Sequence, residues 1–241
     1  MKRKKHRLIL SCLLACALCA SALVAACPTA RAEETTGDWD QTVFFGESTT
    51  AHLARVGGVL DTPSGRLRVW RDKSGTRMLS RRILASSVEL PASDGSTRTL
   101  TLVEALREFQ PPVMVLSFGL NGIMGFITDE ASFVGAYETL IDGITKHSPR
   151  TRIVLQSVYP VRRADGYSVD VDTLNAHIDT LNACIRNLAQ KKGVEYIDTA
   201  HLLKDTDGRL LEKYDCGDGI HLRNEAYQRI LVYLQRQLKG E

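Results

Sequence analysis

Several features that would each decide a class are missing from most of this 241-residue chain. Beyond residue 32 it holds only two cysteines, Cys184 and Cys216, too few for a disulfide-built fold. No HExxH and no paired CxxC occurs there, which argues against a metallohydrolase. Neither an internal repeat nor a low-complexity linker interrupts the body. Basic excess is missing too, although the formal net charge is +3. Residues 1–32 carry Lys2, Arg3, Lys4, Lys5, Arg7 and Arg31 and no acid, leaving 25 basic against 28 acidic residues in the remainder. No basic stripe survives that would engage nucleic acid. What remains suits one globular domain over 41–241, long enough to bury a core.

The first residues, "MKRKKHRLILSCLLACALCASALVAACPTARAEE", have a basic start, an apolar run from Leu8 to Ala26, and then Ala30-Arg31-Ala32. Small residues at both ends of that triplet mark a signal peptide over 1–32, cleaved before Glu33. Two rival readings stay open. "VAAC" ending at Cys27 resembles a lipoprotein box, which would leave a lipidated Cys27, and the apolar run is long enough to remain as a membrane anchor. All three put the body outside the cytoplasmic membrane, extracellular or at the cell surface. Residues 33–40 are polar and read as a loose lead-in. Cys12, Cys16, Cys19 and Cys27 all fall in the leader, so "CALC" is an apolar signal core and not a metal knuckle. For Cys184 and Cys216 the expectation is two separate buried thiols, with a disulfide as the alternative in an oxidising compartment.

Along the body, β-rich runs alternate with helical patterns. Strands are predicted at 41–47, 66–72, 111–118, 151–158 and 194–198, several as the continuous apolar runs of parallel strands covered on both faces. Thr101 and Glu104 have capping-box spacing ahead of a helix to about 109. Helical stripes run through Phe133, Tyr137, Leu140, Ile141 and Ile144, and through Leu174, Ile178, Leu181, Ile185 and Leu188. A last helix over 224–238 opens at Asn224 as N-cap and buries Tyr227, Ile230, Leu231, Leu234 and Leu238. Residues 84–101, broken at Asp94-Gly95, look like a hairpin insertion. The order implies an open, mostly parallel sheet with helices on both sides, whose sites lie beyond the strands' carboxyl ends.

At such an end stands "FFGESTT", 44–50, where a serine follows a strand. A serine nucleophile needs a base, a group that orients the base, and donors for an oxyanion. Five histidines lie in the body. His52, four residues after Ser48, suits a solvated helix position; His147 suits a helix end and His177 the surface. Two histidines carry an acid three residues upstream, Asp198-His201 in "DTAH" and Asp218-His221 in "DGIH". Spacing alone does not choose between them. The second follows the turn-rich "YDCGDG" and precedes the last helix, so a loop can present both side chains; the first ends a strand and suits a structural role. For the oxyanion, the Ser48 N–H, Gly75 in "DKSGTR" and Asn121 in "GLNG" each follow a strand. Each alone is a turn residue more often than a donor; together, at successive strand ends, they form a candidate set. No GxSxG elbow surrounds Ser48, which argues against the larger α/β-hydrolase fold.

The set resembles the SGNH/GDSL serine esterases: "FFGES" the first block, "SGT" around Gly75 the second, "GLN" ending at Asn121 the third, and "DGIH" the last. The resemblance implies a flavodoxin-like three-layer α/β/α sandwich with a mostly parallel sheet of about five strands. It further implies Ser48 as nucleophile, His221 as base oriented by Asp218, and an oxyanion hole of the Ser48 and Gly75 N–H groups and the Asn121 amide, with no cofactor and no metal. Two positions depart from the family pattern. Glu47 stands where the residue before the nucleophile is usually Asp, and Gly122 where Asp usually follows the asparagine. The expected activity is hydrolysis of a small acyl ester, on a small molecule or a glycan. A lipase, thioesterase or acyltransferase on the same site is the close alternative. A binding protein that has lost its chemistry is the distant one.

Overall fold

The computed structural model describes residues 39, 41–56, 69–75, 77–92 and 96–240. The leader over 1–32, the lead-in apart from Trp39, residues 66–68 and the Asp94-Gly95 break lie outside them. The strands are β1 (Thr42–Gly46), β2 (Val69–Trp70), β3 (Ser87–Pro91), β4 (Thr97–Thr101), β5 (Val113–Ser117), β6 (Arg152–Gln156) and β7 (Glu195–Ile197). The α-helices are α1 (Ser48–Val56), α2 (Leu102–Phe109), α3 (Ile123–Phe126), α4 (Glu130–His147), α5 (Val171–Lys192) and α6 (Asn224–Lys239).

Five strands form one sheet in the order β2-β1-β5-β6-β7, and every pairing in it is parallel. Successive residues of a strand face opposite sides. Phe44, Val69, Val115 and Val154 therefore meet Leu53 of α1 and Tyr227, Ile230 and Leu234 of α6 on one face. Phe45, Trp70, Met114, Leu116 and Leu155 meet Leu106 of α2, Leu140 of α4 and Ile185 of α5 on the other. The three-layer α/β/α architecture follows, with each fully buried Leu or Ile contributing roughly 1.5–3 kcal/mol. Covering on both faces is why these strands are nearly uninterrupted apolar runs.

The predicted insertion is the antiparallel hairpin β3–β4, outside the main sheet and joined to it by the Arg71–Glu89 bridge. Its end passes into α2 through the predicted capping box. Thr101 Oγ1 accepts from the Glu104 N–H at 3.2 Å, and Glu104 Oε2 accepts from the Thr101 N–H at 2.7 Å.

Three local expectations are corrected. Trp39, in the supposedly loose lead-in, is buried with its ring 5.5 Å from that of Phe44. Asn224 is the first helical residue of α6, not its N-cap; Arg223 holds the extended cap position without a side-chain bond. The chain arrives there still paired, through the Asp215–Leu222 bridge and an Arg223 N–H donated to the Tyr214 carbonyl at 2.8 Å, which delays the turn into helix until Asn224. The two body cysteines are neither a pair nor both buried thiols. Cys184 is a free, half-buried thiol near Glu130 and is not joined to Cys216.

Strand order also locates the site. After β1 the chain adds β2 on one side, then returns to place β5 on the other. A parallel sheet opens a crevice where its order reverses, here at the carboxyl ends of β1 and β5.

Candidate active site

Ser48 opens α1 two residues beyond β1. Gly46 makes that abrupt change of direction possible, because a Cβ there would lie 2.1 Å from Thr50 Oγ1 and 2.5 Å from the Ser117 carbonyl. The Glu47 carbonyl accepts the first helical bond, from the Ala51 N–H at 3.0 Å. The earliest N–H groups of a helix have no partner within it and form its positive end. Ser48 therefore stands where developing negative charge is stabilised.

The Glu47 side chain turns the other way, into the fold, and is 2% exposed. One carboxyl oxygen accepts from the Leu120 N–H at 2.9 Å, the other from Asn121 at 2.8 Å and Gly119 at 3.4 Å. Burial pushes this carboxyl up to about 7, against the downward pull of those three N–H groups and of nearby His221. The residue before Ser48 thus ties down the loop after β5 that carries Asn121. Asn121 Nδ2 donates to the Arg77 carbonyl at 3.1 Å, fixing the amide plane from the opposite side.

Gly75 lies in the turn after β2, against the first turn of α1; a Cβ on it would be 3.1 Å from that of Ala51. Its N–H, expected for the oxyanion, is donated to Asp72 Oδ1 at 2.7 Å. Beside it, buried Arg77 stacks over Phe45 at 4.7 Å and donates to the Ser87 carbonyl, pinning the β3 hairpin to this turn.

Asp218 and His221 sit on the loop before α6. His221 Nδ1–H donates to Asp218 Oδ2 at 2.6 Å, which leaves Nε2 as the ring nitrogen free to accept in the neutral imidazole. Burial raises the Asp218 carboxyl. The His221 side chain and the N–H groups of His221 and Ile220 outweigh that and hold it well below the usual carboxylate range. The loop is itself braced by Asp215, whose Oδ1 accepts from the Gly217 and Gly219 N–H groups, each at 2.8 Å. Asp215 is a support the sequence reading passed over, although an aspartate two and four residues before glycines is a turn signal.

The competing pair is a poor match in geometry. His201 Nδ1 lies 3.9 Å from Asp198 Oδ2, and its ring packs on Tyr233 instead. Both follow β7, three strands from β1, or about 14 Å at the spacing of neighbouring strands. His147 ends α4 as expected, accepting from Arg107 Nε at 3.2 Å. His52 is the exception. It is half-buried rather than solvated, its ring centroid is 5.0 Å from that of His221, and its Nδ1 is 3.1 Å from Tyr227 Oη. Its spacing of four from Ser48 was the available signal, since that spacing puts both on one helical face.

A match to one protein family spans residues 44–229, from β1 into α6. The chain belongs to the GDSL-like lipase/acylhydrolase family. It is an ester-bond hydrolase. Among solved structures it is similar to a Streptococcus pneumonia protein named after platelet activating factor, with a TM-score of 0.58, 19% identity, and 88% of this chain and 87% of that one covered. A GDSL-like lipase from Bacteroides thetaiotaomicron gives 0.57 at 16% identity, over 83% and 87%. A peptidoglycan O-acetylesterase gives 0.54 at 12%, over 83% and 90%. At such identities the likeness is one of fold. No curated protein matches the chain.

The structure accounts for both departures from the GDSL pattern. Glu47 has the reach to gather three consecutive N–H groups of the Asn121 loop. Gly122 has φ +92°, a conformation aspartate adopts only under strain, and a Cβ there would stand 2.6 Å from Met78 Sδ. The loop is held from Glu47, so an acid at 122 is not needed to hold it.

Proposed function

We propose that this GDSL hydrolase is an exported serine esterase that removes small acyl groups, acetyl above all, from an alcohol carried on a carbohydrate. The observation that carries the chemistry is the 2.6 Å Asp218–His221 contact, with the imidazole beside His52, one helical turn beyond Ser48. His221 Nε2 takes the Ser48 hydroxyl proton as Oγ bonds to the ester carbonyl carbon. The ester C–O bond then breaks, and the alcohol leaves with that proton. Water adds to the acyl-enzyme, passing a proton to His221, and Ser48 recovers it as the carboxylic acid departs. The oxyanion is held by the Ser48 N–H and the Asn121 amide.

The preference for a short acyl group rests on how little exposed apolar surface the described residues place around the site. Among the described residues the exposed large hydrophobic side chains are Met78, Phe109 and Val232, and only Met78 borders the Asn121 loop. Among the described residues, no exposed large hydrophobic side chain besides Met78 lies there to bury a long chain. The carbohydrate acceptor takes its support from the shared fold with a peptidoglycan O-acetylesterase and from the leader, which places the enzyme where such glycans are met. Export rests on that leader alone, with cleavage before Glu33 the leading reading and lipidation at Cys27 the second. No helix among the described residues is long and apolar enough to cross a membrane.

The deciding experiment is hydrolysis of p-nitrophenyl esters of graded length by the wild type and by Ser48→Ala, alongside labelling with a fluorophosphonate. We expect acetate to be the best substrate, with turnover and labelling both abolished in a folded Ser48→Ala. Turnover that survives the substitution would remove Ser48 from the mechanism; preference for long chains would overturn the acyl assignment.

A further inference from the structure

We propose that His52 and Tyr227 are positioning residues that fix the imidazole of His221 for proton transfer with Ser48; this rests on the triad reading above. Tyr227 Oη is 2.9 Å from the Thr49 carbonyl, and a carbonyl only accepts, so the single hydroxyl proton of Tyr227 goes there. Toward His52 the same oxygen must then be an acceptor. His52 Nδ1 therefore carries a proton and donates it across 3.1 Å, which selects one tautomer or the imidazolium and fixes the plane of the ring. That ring lies 5.0 Å from the His221 ring at 57°, and 5.7 Å from the Tyr227 ring at 58°.

The arrangement supplies something Asp218 cannot. One hydrogen bond at Nδ1 anchors an edge of the His221 imidazole but leaves the ring free to swing about that contact. A second ring packed beside it removes the swing. The relay also joins the two segments that must meet. Ser48, Thr49 and His52 lie on the opening turns of α1, and Tyr227 lies on α6, six residues beyond His221. Thr49 and Tyr227 are 178 residues apart in sequence, and His52 and Tyr227 are 175 apart. The Tyr227 phenol thus binds the nucleophile's helix to the helix that follows the base.

The hydrogen bond and the ring contact can be removed separately. His52→Phe keeps a ring and loses the donor. His52→Asn keeps a donor near the Nδ1 position and loses the ring. Tyr227→Phe loses the hydroxyl and keeps its ring. We expect each to lower kcat for p-nitrophenyl acetate by about tenfold to a hundredfold, the scale of small misplacements of a catalytic group. KM and thermal midpoint should stay close to wild type for the His52 variants. The fluorophosphonate labelling rate should fall in step with kcat. His52→Phe combined with Tyr227→Phe should cost little more than the worse single change, because both break the His52–Tyr227 bond, Tyr227→Phe losing the Thr49 contact as well.

Full kcat in folded His52 variants would overturn the proposal. So would a loss confined to KM, which would make His52 a substrate contact, or a kcat loss that merely follows a falling thermal midpoint. If Tyr227→Phe does not fold, the two His52 variants carry the test, since that side chain is only half-buried. Ser48→Ala run beside them separates the two failures. Activity in Ser48→Ala defeats the triad itself, whereas a dead Ser48→Ala beside a fully active His52→Phe defeats only the positioning role.

Discussion

Replacing Glu47 by Gln tests what holds the Asn121 loop, and its effect must change with pH. The carboxyl is fully buried and gathers three N–H groups on its two oxygens. A glutamine offers one acceptor oxygen, and its NH₂ must confront at least one of those donors. That costs roughly 1–3 kcal/mol at every pH. The charge acts in the opposite sense. Burial raises the Glu47 carboxyl from 4.5 to about 7, so the folded protein keeps a proton that the unfolded chain gives up. The wild type therefore has its full stability below the unfolded value and loses it as pH rises through about 7. The loss amounts to about 3 kcal/mol, at roughly 1.4 kcal/mol per unit. Glu47→Gln lacks this dependence. Urea unfolding followed by the fluorescence of Trp39 and Trp70, both buried, reads the difference between the two proteins. We expect the variant to be the less stable by about 1–3 kcal/mol at about pH 5, with the difference moving about 2–3 kcal/mol in its favour, so that it closes or reverses, by about pH 8. A gap that does not change with pH would refute the reasoning. A gap that widens would mean that the three N–H groups outweigh burial.

Three further outcomes follow from the same geometry. Asn121→Ala should fold and lose about a hundredfold or more in kcat, as removal of an oxyanion donor does, measured on p-nitrophenyl acetate. His201→Ala should keep wild-type turnover on that substrate, because its ring lies beside Tyr233 and its carboxylate neighbour is 3.9 Å away. Gly122→Ala should lower the unfolding free energy by roughly 1–3 kcal/mol in the same urea assay, since it places a side chain at φ +92° and drives a Cβ against Met78.

The amino-acid sequence by itself determined what local chemistry can determine. Apolar runs at 111–118 and 151–158 announced strands covered on both faces, and the stripes from Phe133 to Ile144 and from Leu174 to Leu188 announced the helices that cover them. Thr101 and Glu104 specified a cap, because a capping box is a contact between residues three apart. The leader, the four short blocks and the family resemblance likewise need no contact across the fold to be read. Tertiary structure decided everything that depends on residues distant in sequence. Asp198-His201 and Asp218-His221 have identical spacing, and only the sheet order puts the first pair three strands from Ser48. His52 read as a surface residue until α6 folded over it, and Tyr227 as a plain core residue until its hydroxyl was found between Thr49 and His52. Glu47 read as a departure from a pattern until the chain from β5 returned to lay three N–H groups on its carboxyl. The physical reason is the same each time: periodicity and spacing report which way a side chain faces along its own element, whereas a partner contributed by another element is fixed only when the sheet order and both helical layers have closed.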